Sequence, residues 1–246
     1  MHPQAPARAH RACEPVVAQH RTRALPAGAD IPLSGLLISF EGGEASGKSA
    51  QARALAEWLT ARGETVVVLQ DPGSTLVGER VREILLHAQE IPLAENTQAL
   101  LFSAARAQLV RDVIGPALAT GTIVVVDRFF DSTLAYQGAG HGADRAGLDA
   151  ITRFAVGAVR PDRTFLLDVP IEVAAARGLA RGTGRGWDRF EADEQAFHQR
   201  VRDGYLRLAA AEPGRIVVVA GDRDRAAVAT DIRREVEPLL GTLRTP

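Results

Sequence analysis

Five short apolar runs punctuate the chain, at Leu36–Phe40, Thr65–Leu69, Ile123–Val126, Thr164–Val169 and Ile216–Val219. Four of them are unbroken and rich in β-branched residues, the pattern of strands buried on both faces. Between them the apolar positions spread out to helical spacing, predicting helices at Ser49–Arg62, Leu76–Gln89, Asn96–Thr120, Arg145–Val159 and Ala192–Ala211. A last helix is predicted at Arg225–Leu240. Strand and helix in alternation imply an α/β fold: a five-stranded parallel sheet with right-handed crossovers and a helical layer on each face. Ligands of such sheets bind outside the carboxyl ends of the strands. Residues 1–34 break the pattern, being rich in Ala, Arg, Pro and His without any period. They are expected to be a disordered extension to a single domain over residues 35–246. The stretch lacks the apolar segment of a secretory signal. It is Arg-rich and acid-poor, as transit peptides are, but also serine-poor; a misplaced start codon is a third reading.

Charge and cysteine content narrow the classes. No apolar run approaches bilayer length, and a net charge of -1 gives no global basic field for a polymeric nucleic acid. A single cysteine, Cys13, excludes an intrachain disulfide or a multi-cysteine metal site, and a cytoplasmic protein is the expectation. All but one of the 29 Lys and Arg residues are arginine, and the one lysine is Lys48. It lies in Gly42-Gly43-Glu44-Ala45-Ser46-Gly47-Lys48-Ser49, which matches G-x-x-x-x-G-K-[ST] between a predicted strand and a predicted helix. Glycines at such a turn let backbone N–H groups converge on phosphate oxygens, and the helix N-terminus adds a favourable dipole. Lys48 is expected to reach the β- and γ-phosphates of a nucleotide, and Ser49 to ligate Mg²⁺. The fold class becomes P-loop NTPase-type, three-layer α/β/α. Asp127 closes the third apolar run, where a carboxylate can hold Mg²⁺ or orient an acceptor phosphate. A second lysine would be needed for the usual guanine-reading Asn-Lys-x-Asp of a GTPase switch, and none exists. A motor or partition ATPase remains open at this point.

Further stretches fall in a recognisable order. They are Phe40-Glu41-Gly42, Asp71-Pro72-Gly73-Ser74-Thr75 with Gly78-Glu79, and Leu101-Phe102-Ser103-Ala104-Ala105-Arg106. Then come Asp127-Arg128-Phe129 with Asp131-Ser132, Ala135-Tyr136-Gln137-Gly138 and Pro161-Asp162-Arg163. From about Leu36 to Val219 the chain resembles the thymidylate kinases, in a subtype with arginines in a mobile lid. The resemblance implies an ATP:dTMP phosphotransferase using Mg²⁺, and a homodimer with the Asn96–Thr120 helix as a candidate interface element. It implies that Phe102 stacks on thymine, that Arg106 donates to the base's carbonyl edge, and that Arg128 grips the acceptor phosphate. Glu44 would bond the 3′-hydroxyl, and Tyr136 and Gln137 would face sugar and base, with Tyr136 excluding a 2′-hydroxyl. Asp71 and Ser132 fall in the same acceptor set. The loop with Ala50 and Arg177 would hold ATP. Arg181 and Arg185, in the glycine-rich stretch from Arg177 to Gly186, would supply the cation that this P-loop lacks.

The chain departs from the family pattern in three places. Gln70 stands where an acceptor-phosphate arginine is usual, Ala50 replaces a frequent hydroxyl residue, and His141 replaces a common arginine. A charge-assisted phosphate contact is worth about 1.5–3 kcal/mol, so Gln70 bears on substrate identity. The alternatives are a related kinase of another deoxynucleotide or nucleoside, and a non-catalytic nucleotide-binding P-loop protein.

Overall fold

A computed structural model describes residues 34–86, 91–180, 192–241 and 243. Strands β1 (Leu37–Glu41), β2 (Val66–Gln70), β3 (Ile123–Asp127), β4 (Arg163–Asp168) and β5 (Ile216–Ala220) form one sheet in the order β2-β3-β1-β4-β5. Every pairing is parallel, as the apolar runs predict. The two strands β1 and β3 at its middle are wholly buried. On the edge strands Val68 and Val218 are exposed.

Side chains alternate between the two faces with the strand period of two. Ile38, Phe40, Val125, Phe165 and Leu167 pack under α1 (Lys48–Ala61) and the C-terminal helix, Arg225–Leu240. Leu37, Val124, Val126 and Leu166 point the other way, into the larger cluster. That cluster is roofed by α3 (Glu95–Leu109), the Phe130–Gly140 segment, the helix Arg145–Val156 and the helix Ala192–Ala211. Among the described residues no helix is long and apolar enough to cross a membrane.

The helices differ from expectation where backbone chemistry intervenes. The predicted helix over Asn96–Thr120 divides into α3, a π-helical turn at Val110–Ile114, and α4 (Gly115–Ala119). Pro116, in the first turn of α4, has no N–H to give the preceding turn, and the Gly115 N–H reaches back to Val110 O. After β3, α5 (Phe130–Thr133) runs into a second π-helical segment, Leu134–Gly140, which the pattern did not reveal. The remaining helices are α2 (Leu76–Leu86), α6 (Arg145–Val156), α7 (Ile171–Ala180), α8 (Ala192–Ala211) and α9 (Arg225–Leu240). Helix α7 also escaped the pattern, and it places Arg177 on a helix rather than in a loop. Arg181, Arg185 and residues 1–33 lie outside the described residues, while Ser34 donates its N–H to Leu118 O.

Helix α8 lies directly on the Leu134–Gly140 segment. Gly204 makes this approach possible, because a Cβ there would come within 2.5 Å of Ala139 Cβ. Arg202 on α8 forms a two-pronged pair with Asp168 at the end of β4, at 2.6 and 2.8 Å. Gly204→Ala should lower stability by about 1–3 kcal/mol through overpacking, despite alanine's better helix propensity. Adding Ala139→Gly should restore most of the loss in urea unfolding, and no recovery would contradict the packing account.

Candidate functional site

The carboxyl ends of β1 and β3 converge on a loop that wraps backward before α1. Gly42 opens it with φ 136°, and a Cβ there would stand 2.5 Å from Leu167 O, so only glycine fits. Residues Gly42, Gly43, Glu44, Ala45, Ser46 and Gly47 form the cradle, closed by the Ser46 hydroxyl donating to Gly43 O at 2.9 Å. Lys48, the first residue of α1, folds back over it and donates to Gly42 O, Gly43 O and Ser46 Oγ at 3.1, 2.6 and 3.2 Å. Burial and then the neighbouring Arg128 lower its amine from 10.5 to about 7. Ser49 Oγ donates to Asp127 Oδ2 across the mouth of the loop. A hydroxyl and a carboxylate are hard oxygen donors that suit Mg²⁺, an ion that usually keeps waters and phosphate oxygens as its other ligands. No cluster of three or more His, Cys, Asp or Glu suited to a metal occurs among the described residues, so a metal here would rely on the nucleotide's own oxygens.

Beside the loop opens a cleft of about 310 Å³. Its lining gathers every acceptor-site residue expected from the sequence: Glu44, Asp71, Phe102, Arg106, Arg128, Ser132, Tyr136 and Gln137. One turn apart on α3, Phe102 and Arg106 both face it. Arg106 is almost completely buried and donates to Asp71 Oδ2, to Thr133 Oγ1 at 3.1 Å and to Phe129 O at 3.4 Å. Burial pushes the Asp71 carboxyl up against the opposing pull of Arg106. The other oxygen of Asp71 is buried with no hydrogen-bond partner among the described residues. Gln70 and Arg82 share the same lining, so a cation is present in the cleft on the side where Gln70 brings only an amide. Arg82 rests on Pro72 O at 3.0 Å. His141 also reaches the cleft, with its ring 4.6 Å from that of Phe197.

Arg128 carries a strained backbone, φ 69°, which aims its side chain between loop and cleft. Its guanidinium donates to Gly42 O, Ser132 Oγ and Tyr205 OH, each at 3.2 Å, and to Tyr136 OH at 3.0 Å. Burial opposes its charge, but Tyr136, Tyr205 and Glu41 hold it above the ordinary arginine range. Under this group lies Glu41, fully buried, which accepts from Phe129 N, Ser132 Oγ and Tyr205 OH at 2.7, 2.6 and 2.8 Å. Burial, helped by Asp131, lifts the Glu41 carboxyl from 4.5 to about 7. Asp131 in turn is held by Arg215 at 2.7 and 2.9 Å. Sequence reasoning missed the parts played by Glu41, Tyr205, Arg215 and Arg82. An acidic residue closing an apolar strand was the available signal for Glu41. Nothing local marks Tyr205, although it and Tyr136 are the chain's two tyrosines. Arg177 on α7 donates to Gly221 O at 2.8 Å, and a Cβ on Gly221 would lie 3.4 Å from Ser46 O, so that arginine stands near the loop's outer side.

The chain is similar to known proteins of one family. Residues 40–232 match the family model described as Thymidylate kinase. A protein named Thymidylate kinase from Roseiflexus sp. (strain RS-1) is 47% identical over 221 residues, covering 85% of this chain and 96% of that one. Another of the same name, from Geobacter sp. (strain M21), is 47% identical over 193 residues, 77% of this chain and 86% of its own. The crystal structure of thymidylate kinase from Ehrlichia chaffeensis superposes with a TM-score of 0.68 at 33% identity, covering 82% of this chain and 98% of that chain.

A raised glutamate means that the folded chain binds a proton the unfolded chain has released between pH 4.5 and about 7. This contribution to stability is present below pH 4.5 and is lost as pH rises through about 7. Glu41→Gln should therefore remove a downward slope of unfolding free energy in that window. An unchanged slope in urea titrations across it would contradict the burial of the charge.

Proposed function

The chain belongs to the thymidylate kinase family, and from that premise we propose that it transfers the γ-phosphoryl group of ATP to dTMP, giving dTDP and ADP. The observation that carries the reading is the shared wall between the phosphate loop and the cleft: Arg128 bonds Gly42 O of the loop and also lines the cleft. An acceptor phosphate on Arg128 therefore sits next to a donor phosphate on Lys48. A planar guanidinium suits a two-pronged phosphate contact. The half-buried Phe102 offers a ring face to thymine, and Arg106 and Gln137 offer donors to its edge. Asp71, Glu44 and Tyr136 surround the sugar.

In the reaction an oxygen of the acceptor phosphate attacks the γ-phosphorus, and the bond to the bridging oxygen of ADP breaks. No covalent intermediate with the protein is needed. Lys48 exchanges its loop carbonyls for the β- and γ-phosphate oxygens, and Gly42 to Ala50 wrap the triphosphate. Ser49 and Asp127 would hold Mg²⁺, which supplies positive charge to the phosphates. Arg177 lies on the ATP side, and we assign Arg181 and Arg185 to a lid that brings cations onto the transferring group. Catalysis of this kind is alignment and charge neutralisation. We place the enzyme in the cytoplasm as a homodimer. Exposed apolar residues on adjacent helices, Leu76 and Val77 on α2, Leu100 on α3 and Phe154 on α6, support a self-association face.

The test is ADP formation with dTMP, dUMP, dCMP, dGMP, UMP, thymidine or no acceptor. Turnover with dTMP well above the others is expected. Turnover with a different acceptor would overturn the substrate, and acceptor-independent behaviour would overturn the kinase. Lys48→Ala should abolish turnover while circular dichroism stays native-like. Arg181→Ala and Arg185→Ala should lower kcat by about 10³-fold or more while leaving dTMP affinity near wild type. Losses confined to affinity would remove both from the transfer step. Sedimentation at assay concentration should give a dimer, with Phe154→Glu shifting it toward monomer.

A further inference from the structure

Glu41 ends β1 with no exposed surface and does not line the cleft, yet one of its partners, Ser132, does. Its Oε1 accepts from the Phe129 N–H, and its Oε2 accepts from the hydroxyls of Ser132 and Tyr205. Those same two hydroxyls accept from Nη1 of Arg128. A hydroxyl has one proton to give and lone pairs to receive with, whereas an ionised carboxylate only accepts. With both protons spent on Glu41, the lone pairs of Ser132 and Tyr205 turn toward the guanidinium. The two oxygens also lie 2.9 Å apart, so reversing one changes what the other can do.

We infer that Glu41 is the positioning residue for Arg128, its carboxylate setting the direction of the Ser132 and Tyr205 hydroxyls so that the guanidinium is held for the acceptor phosphate. The inference rests on the reading of the cleft as the dTMP site. Three segments far apart in sequence meet at this point: the end of β1, the turn after β3, and α8. The charged or titratable groups around Glu41 are Arg128 and Asp131 after β3, Lys48 on α1, Tyr136 on the π-helical segment and Tyr205 on α8. Asp131 is paired with Arg215. That leaves Arg128 as the cation whose bonds are shared with Glu41.

The same residue also ties the Phe129 N–H to β1, which is a plainer role. Glutamine separates the two. Its amide oxygen keeps the Phe129 bond, but its NH₂ group must donate where Oε2 accepted, so Ser132 and Tyr205 lose lone pairs to it. Glu41→Gln should therefore weaken dTMP binding about tenfold or more, with thymidine affinity and kcat at saturating dTMP changed less than about threefold. Calorimetry with dTMP and thymidine, together with steady-state kinetics, reads this directly. A folded variant that keeps the wild-type ratio of dTMP to thymidine affinity would overturn the inference, as would an equal loss for both ligands. Should Glu41→Gln fail to fold, Tyr205→Phe removes one relay and leaves the Phe129 bond intact. The same selective loss is expected there, and an unchanged ratio overturns the inference. A wild-type protein that binds no dTMP would instead overturn the assignment of the cleft, so the two failures are distinct.

Discussion

Taking an arginine out of water is expensive unless its donors are met, and this site buries Arg106 almost wholly and Arg128 in part. Arg106 is satisfied by Asp71, Thr133 and the Phe129 carbonyl, which ties α3 to the turns after β2 and β3. Arg128 is satisfied by Gly42 O, Ser132, Tyr136 and Tyr205, which ties the phosphate loop to the π-helical segment and α8. Between them these partners come from the turns after all three strands on one side of the sheet, and from two helices packed over it. Removing any one leaves a buried charge short of a partner, so the cleft is specified by the need to solvate two cations with protein. Burial lifts Glu41 against the pull of Arg128, and one oxygen of Asp71 has no hydrogen-bond partner among the described residues.

A cleft built this way is ready for anions before any arrives. Lys48 and Arg128 both contact Gly42 O, one from each side of the wall, so two phosphates bound to them are brought together without a large movement of the sheet. The hydrogen bonds the two cations make to the loop carbonyls are ones a phosphate can replace with stronger, charge-assisted contacts. The strained φ of Arg128 and the close approach at Gly42 are the backbone's share of this arrangement.

The sheet was legible because its signal is local. Runs such as Ile123–Val126 are apolar at every position, and burial on both faces leaves them no other form. The phosphate loop was legible because glycine, lysine and serine must stand at fixed offsets there. The eight residues expected at an acceptor site were named through an ordered set of motifs, and one cleft gathers all of them. What escaped was nonlocal or irregular. Pro116 hides inside a helical pattern until its missing N–H is counted, and the glycines of Leu134–Gly140 mask a π-helical segment whose stability comes from α8. Tyr205 shares the Arg128 site with Tyr136 from 69 positions farther along the chain, and no spacing rule links them. Glu41 reads as the end of a strand; its role depends on which hydroxyls fold over it.

The central claim is that donor and acceptor nucleotides lie on either side of Arg128 with their phosphates adjacent. A compound joining adenosine and thymidine through a chain of five phosphates tests this most directly. Linking two sites turns the second contact into an intramolecular one, so affinity should exceed that for ATP or dTMP alone by about 10²-fold or more. Displacement of both nucleotides by the linked compound, with that gain, is the predicted result. Displacement of only one, with no gain over the single nucleotide, would show that the two sites do not share this wall.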